Sequence, residues 1–157
     1  MSLEVERAFV SDQPPDPSTL GVGSSLHQGY VAREGEVEVR VRISDDGARL
    51  TVKAGRGLVR TEVELPLAAE QADALWAHTE GRRLVKTRYR VPVDGHTAEV
   101  DVYDGALAGL CRIEVEFDSA DAAAAFEPPT WFGVEVTDDA RWSNSSLARH
   151  GRPDRGS

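Results

Sequence analysis

The sequence predicts a mainly β, α+β chain of about eight strands, joined mostly as antiparallel neighbours, with about three helices. Three observations predict it. Residues 112–117, Arg-Ile-Glu-Val-Glu-Phe, alternate a charged with an apolar side chain, the period-two pattern of a strand with one buried face. The same design recurs along the chain: Glu4 and Glu6 flank Val5, Arg40 and Arg42 flank Val41, Glu62 and Glu64 flank Val63, Lys86 and Arg88 flank Thr87, and Glu99 and Asp101 flank Val100. The length, 157 residues without repeats or a long linker, suits one domain spanning 1–157 with a real core. Such strands can close into a barrel or pack as a sandwich.

The elements follow in order. Strand one covers residues 3–10. A loop rich in Pro, Asp, Gly and Ser covers 11–25, where Pro14, Pro15 and Pro17 oppose regular structure. Strands two and three cover 26–32 and 36–44, and Asp45-Asp46-Gly47 is a hairpin turn. Strand four covers 50–53, with Lys53 on the same face as Thr51; Gly55-Arg56-Gly57 turns the chain into strand five at 58–65. The period then becomes helical over 67–79, with Pro66 suited to a first turn and Gly81 as a stop. Strand six covers 83–92, Asp94-Gly95 turns the chain, and strands seven and eight cover 97–103 and 110–117. Ser119 is an N-cap for a short helix through Phe126, which Pro128-Pro129 stops. A last helix is expected over 138–150, then a frayed tail.

Composition narrows the function. The net charge of -9 makes the chain a poor nucleic-acid binder, because phosphate attraction dominates that affinity. One cysteine, Cys111, allows no internal disulfide. The start has no signal-peptide layout, and no stretch approaches the ~18 apolar residues of a membrane helix. The expectation is a soluble cytoplasmic protein, monomer or homodimer, in which the glycosylation pattern Asn144-Ser145-Ser146 carries no meaning.

The charged faces are either solvated or gathered around one interior. Alternation alone leaves both open, since antiparallel sheets often expose a polar face. Scarcity of Ser, Thr, Asn and Gln on these faces favours an interior. The signs are also sorted by strand. Strands one, seven and eight are mainly carboxylate, while three, four and six are mainly cationic. Carboxylate clusters bind hard cations through oxygen, and Arg and Lys clusters hold phosphoryl oxygens. Unit charges ~4 Å apart interact by about 4 kcal/mol at an effective dielectric near 20, so crowded carboxylates require cations among them. Both sets together suit a metal-chelated polyphosphate. The four histidines lack metal-ligand spacing and read as surface residues; Cys111 and the three tryptophans read as packing residues. No Ser-His-Asp, GxGxxG or Walker pattern is present.

These residues resemble the CYTH domain, or triphosphate tunnel metalloenzyme, family, in its short bacterial inorganic triphosphatase branch. The resemblance rests on Glu4-Val5-Glu6-Arg7, Gln28-Gly29-Tyr30, Arg40-Val41-Arg42, Thr51-Val52-Lys53, residues 60–64, residues 86–89, residues 99–102 and residues 113–117, in order and correctly spaced. Residues 128–133 and 135–137 also fit. It implies a closed eight-stranded antiparallel β-barrel tunnel with flanking helices, including a C-terminal one, a charged interior, bound Mg²⁺ or Mn²⁺, and a triphosphate ligand. It implies hydrolysis of inorganic triphosphate to pyrophosphate and phosphate. Arg40, Arg42, Lys53, Arg60, Lys86 and Arg88 would bind phosphates. Glu62, Glu64, Asp101, Glu114 and Glu116 would bind or surround the metals. Glu4 and Glu6 would lie among them and orient the attacking water, with Lys86 assisting. The family's first motif is Glu-x-Glu-x-Lys; here its lysine position is Ala8, and alternation turns Arg7 away. Restoring lysine there is expected to raise activity or phosphate affinity. Two rival functions stand beside the hydrolase: a non-catalytic triphosphate- or polyphosphate-binding module, and an enzyme acting on thiamine triphosphate or ATP.

Overall fold

The computed structural model of the protein describes residues 2–55 and 57–154. Arg56 of the expected turn and residues 155–157 of the expected tail lie outside the described residues. The strands are β1 (Ser2–Val10), β2 (Ser24–Glu34), β3 (Val37–Ser44), β4 (Gly47–Ala54), β5 (Val59–Leu67), β6 (Arg83–Val93), β7 (His96–Tyr103), β8 (Cys111–Phe117) and β9 (Val134–Glu135). The helices are α1 (Ala69–Trp76), α2 (Ala120–Ala125) and α3 (Asn144–His150). No helix among the described residues is long and apolar enough to cross a membrane.

Pairing runs β5-β4-β3-β2-β6-β7-β8-β1-β9, and a further β5–β1 ladder closes eight strands into an antiparallel barrel. Strand β1 makes the closure by splitting its partners. Its first residues pair with β5 (Glu4 opposite Arg60), and its later ones pair with β8 (Glu6 opposite Glu116, Ala8 opposite Glu114). Closure shortens the exposed sheet edges that invite aggregation. The hairpin turns were legible in the sequence. At Asp94-Gly95 both residues take positive φ, 48° and 78°, as a two-residue type I′ turn requires.

Three expectations are corrected. Pro66 does not start a helix: it lies in β5 opposite Arg49, and α1 begins only at Ala69. The β1–β5 ladder ends at the Ser2–Glu62 pair, so beyond it β5 is an edge among the described residues, where a proline is tolerated. The expected helix over 138–150 is divided. Asp139 caps a 3-10 turn, Ala140–Trp142, and Ser143, with extended backbone, caps α3 by accepting from the Ser146 N–H at 3.2 Å. Two successive caps start two short elements instead of one long helix. Finally, β9 adds a ninth, two-residue strand to the eight expected, pairing with Phe9 and Val10 of β1. Gly133 permits this: a Cβ there would stand 2.2 Å from the Val10 carbonyl oxygen.

The apolar side chains form two cores. Outside the barrel, Phe9, Val100, Cys111, Ile113, Val115 and Phe117 pack beneath α2, Phe126 and Phe132. Arg7 points to this outer side, donating to the carbonyls of Ala123 and Phe126 at 2.9 and 2.8 Å and pairing with Glu135. Inside, Ala8, Val10, Leu84, Tyr103 and Leu110 meet Val136 and Leu147 of α3. The inward faces of β1, β6, β7 and β8 therefore end in an apolar plug, and their charged residues occupy the rest of the lumen. Full burial of each large side chain contributes about 1.5–3 kcal/mol.

Candidate active site

The closed strand order turns alternation into geometry. Strands β7, β8, β1 and β5 are neighbours, and so are β4, β3, β2 and β6. Their inward residues build a carboxylate arc facing a cationic arc across one cavity of about 1140 Å³. Glu4, Glu6, Glu62, Glu64, Glu114 and Glu116 line it, as do Arg40, Arg42, Lys53 and Arg88. These ten are sequence-predicted site residues. Three others stand apart from that lining: Arg60 lines a second, smaller cavity, and Lys86 and Asp101 lie sealed in the wall.

On the acidic side, carboxylate oxygens of Glu4, Glu6 and Glu116 lie within 4.8 Å of one another. Glu4 Oε2 and Glu6 Oε2 are buried without a hydrogen-bond partner. Burial, together with the hydrogen bond to Glu62, pushes Glu4 up to about 8. Burial and the charge of Glu114 push Glu6 up to about 6. Against the cost of its own burial, Glu62 is held down to about 2 by the Glu4 hydrogen bond and by Lys53 and Arg40. Across the seam that closes the barrel, Glu4 is thus pushed toward its protonated form while Glu62 is held ionised. Lys53 bridges the same pair, 3.4 Å from Glu4 and 3.3 Å from Glu62. Glu64 lies at the mouth, 3.6 Å from Arg49.

On the basic side, Arg42 forks onto a neutral acceptor, donating to Gln28 Oε1 at 3.0 and 2.8 Å. Burial, with Arg40 and Arg88 nearby, pushes it down to about 10. Arg40 is buried, and its Nε has no hydrogen-bond partner. Arg42 is thus a desolvated positive charge on a neutral acceptor, beside an Arg40 Nε left open, an arrangement that receives an anion. Arg88 instead forks onto Asp101 at 2.8 and 2.9 Å and reaches Glu99 at 3.0 Å. Lys86 Nζ lies 2.6 Å from Asp101, and the lysine is 0% exposed. Burial drives Lys86 down to about 7, with Asp101 opposing, while Arg88 and Lys86 hold the buried Asp101 below the usual carboxylate range. Both Asp101 oxygens are occupied by cations. Arg60 links Glu6 at 3.8 Å to Glu38 at 3.3 Å.

Sequence reasoning missed part of the lumen. Asn144, seen only as a glycosylation pattern, lines the cavity and accepts from Tyr103 Oη and from Lys86 at 3.4 Å. Gln28 and Tyr30, fully buried on β2, are hydrogen-bonded to each other inside the basic arc. Their place in the Gln28-Gly29-Tyr30 motif was the available signal. Of the histidines, His27, His78 and His150 are exposed, whereas His96 packs edge-on against Phe117 at 5.0 Å. Burial pushes the Cys111 thiol up to about 12, consistent with a packing residue.

An antiparallel eight-stranded barrel whose lumen divides into facing acidic and basic arcs defines the class of charged β tunnels. No family model matches the chain. Curated relatives do match it. An inorganic triphosphatase of Nitrosomonas europaea is 44% identical over 92% of this chain and 96% of its own length. An inorganic triphosphatase of Acetivibrio thermocellus is 34% identical over 96% of each. Among solved structures, the inorganic triphosphatase NE1496 superposes with a TM-score of 0.69 at 40% identity, covering 95% of this chain and 99% of that one. A conserved hypothetical protein of Pyrococcus furiosus shares the fold, with a TM-score of 0.57 at 18% identity over 78% of this chain and 83% of that one. The chain belongs to the inorganic triphosphatase branch of the CYTH, or triphosphate tunnel, family.

Proposed function

We propose that the protein hydrolyses inorganic triphosphate to pyrophosphate and phosphate inside the tunnel, with a divalent cation on its acidic side. The observation that carries this is the pairing of the two arcs: Arg42 forked onto the neutral Gln28 amide beside a buried Arg40 whose Nε has no hydrogen-bond partner, facing three carboxylates within 4.8 Å of one another. The acidic side fits a hard cation such as Mg²⁺ or Mn²⁺. It offers only oxygen donors, two of them buried without a hydrogen-bond partner, and Glu4 there is driven toward its protonated form. Glu4, Glu6 and Glu116 would hold the ion, with Glu62 and Glu114 beside them. When bound, it supplies charge neutralisation and Lewis acidity at the phosphoryl oxygens.

The chain's own residues do the rest. Arg40 and Arg42, with Lys53 and Arg88, hold the phosphoryl oxygens and align the triphosphate along the lumen. Lys86 and Asp101 act from the wall, fixing Arg88 by ion pairs too buried to exchange readily with water. Glu6 accepts a hydrogen bond from the attacking water. The water oxygen bonds to the terminal phosphorus as the bridging P–O bond breaks, and pyrophosphate leaves.

The test is phosphate release from inorganic triphosphate with Mg²⁺, with Mn²⁺ and with EDTA, beside ATP and pyrophosphate. Metal-dependent release selective for triphosphate is expected. A thermal shift on adding triphosphate without release identifies a binding module; preference for ATP assigns the site to an organic triphosphate.

A further inference from the structure

The carboxylate arc contains an anomaly. On the inward faces of β7, β8 and β1, Arg112 is the one Lys or Arg; the other charged residues are Glu99, Asp101, Glu114, Glu116, Glu4 and Glu6. Its guanidinium is bonded to Glu114, its Nε is buried without a hydrogen-bond partner, and the residue is 6% exposed. Strand register puts Glu114 opposite Ala8 and Arg112 opposite Val10, so Arg112 is the diagonal inward neighbour of Ala8. That separation is about 7–8 Å between backbones, within reach of a long side chain.

Ala8 is itself 5% exposed. Together with Arg112, Glu6, Glu38 and Arg60 it lines a second cavity of about 90 Å³, which extends toward Val136 and Thr137. The small side chain at position 8 thus leaves room that Arg112 borders from the adjacent strand.

We propose that Arg112 is a positioning residue that supplies, from β8, the cation that the Glu-x-Glu-x-Lys pattern places on β1 at position 8. It holds Glu114 in place at the inner end of the carboxylate cluster. Ala8 and Arg112 are then one exchange, a lysine removed from one strand and a guanidinium introduced on its neighbour. The role rests on the triphosphatase reading above. The exchange also changes what Ala8→Lys alone does: it adds a second cation beside Arg112 instead of restoring a lost one, so the gain expected from the sequence does not follow.

The test is a double-mutant cycle on wild type, Ala8→Lys, Arg112→Leu and the double variant. It reads kcat and KM for triphosphate with Mn²⁺, and melting temperature in EDTA. Arg112→Leu is expected to lower kcat by about 100-fold, with KM changing less, the size of loss that follows misplacement of a reacting group. Ala8→Lys alone lowers the melting temperature and gives no gain in rate. The double variant regains both melting temperature and at least tenfold in kcat over Arg112→Leu, roughly 1.4 kcal/mol. Arg112→Lys keeps most of the activity, and with the double variant it decides the matter if Arg112→Leu does not fold. Wild-type turnover in Arg112→Leu overturns the proposal. So does a double variant that recovers melting temperature without rate, since that leaves Arg112 a structural ion-pair partner only. If wild type releases no phosphate, the triphosphatase reading falls separately. The melting temperatures then decide whether positions 8 and 112 share one cation, and additive shifts overturn it.

Discussion

Strand β8 has two buried faces with opposite energetics. Ile113 and Val115, both 0% exposed, point outward beneath α2, where burial removes apolar surface from water and stabilises the fold. Arg112 and Glu114, nearly as buried, point inward, where burial desolvates charges and destabilises unless partners compensate. The barrel therefore divides its labour by side-chain parity. The outer core supplies stability, and the inner face spends part of it on a preorganised electrostatic site. Equal burial does not mean equal contribution.

Substitutions can break that comparison. The largest effect is expected from Glu116→Gln, which removes one of the three clustered carboxylates. Metal-dependent phosphate release should be abolished. Melting temperature in EDTA should hold or rise, because burial and the charge of Glu99 already disfavour ionised Glu116. Glu114→Gln should abolish release as well; wild-type rates in both variants would remove the carboxylate cluster from the mechanism. Ile113→Ala should do the reverse. Chemical denaturation should show a loss of about 2–5 kcal/mol, with kcat per folded molecule unchanged.

A smaller effect sharpens the comparison through pH. Folded Glu4 titrates near 8, above its ordinary value of 4.5. Between those values the folded chain keeps a proton that the unfolded chain has released, so stability falls as pH rises. The contribution is fully present below 4.5 and is lost through about 8. Denaturant titrations of metal-free wild type and Glu4→Gln at pH 5 and 8 isolate it: the advantage of wild type over the variant should shrink toward pH 8. Glu4 is only half-buried, so solvent screening keeps the effect modest.

The strands were legible because a period-two pattern survives even when the buried face is charged. The barrel order was legible in part: the carboxylate strands β7, β8 and β1 are neighbours, as are the cationic β3 and β4, while β2 separates β3 from the cationic β6. Pairing partners were not. Asp101 reads as a metal-type carboxylate, but register sets it between Arg88 of β6 and Arg112 of β8, and Lys86 reaches it along the same face. Arg90 reads like Arg88 two residues earlier, yet it reaches the rim and is mostly exposed. Pro66 reads as a helix start because the limited extent of the β1–β5 ladder leaves no mark in the sequence. Asn144 reaches the lumen only because the Ser143 cap starts α3 beside it. Ala8 was visible as a departure, but its counterpart Arg112 became meaningful only once β1 and β8 were neighbours.

The most direct measurement is an anomalous difference map from crystals grown with Mn²⁺ and triphosphate. A peak bounded by carboxylates of Glu4, Glu6 and Glu116, with phosphate density running toward Arg40 and Arg42, is the predicted result. Manganese beside Asp101, or phosphate density outside the lumen, would contradict the division of the tunnel into an acidic metal side and a basic phosphate side.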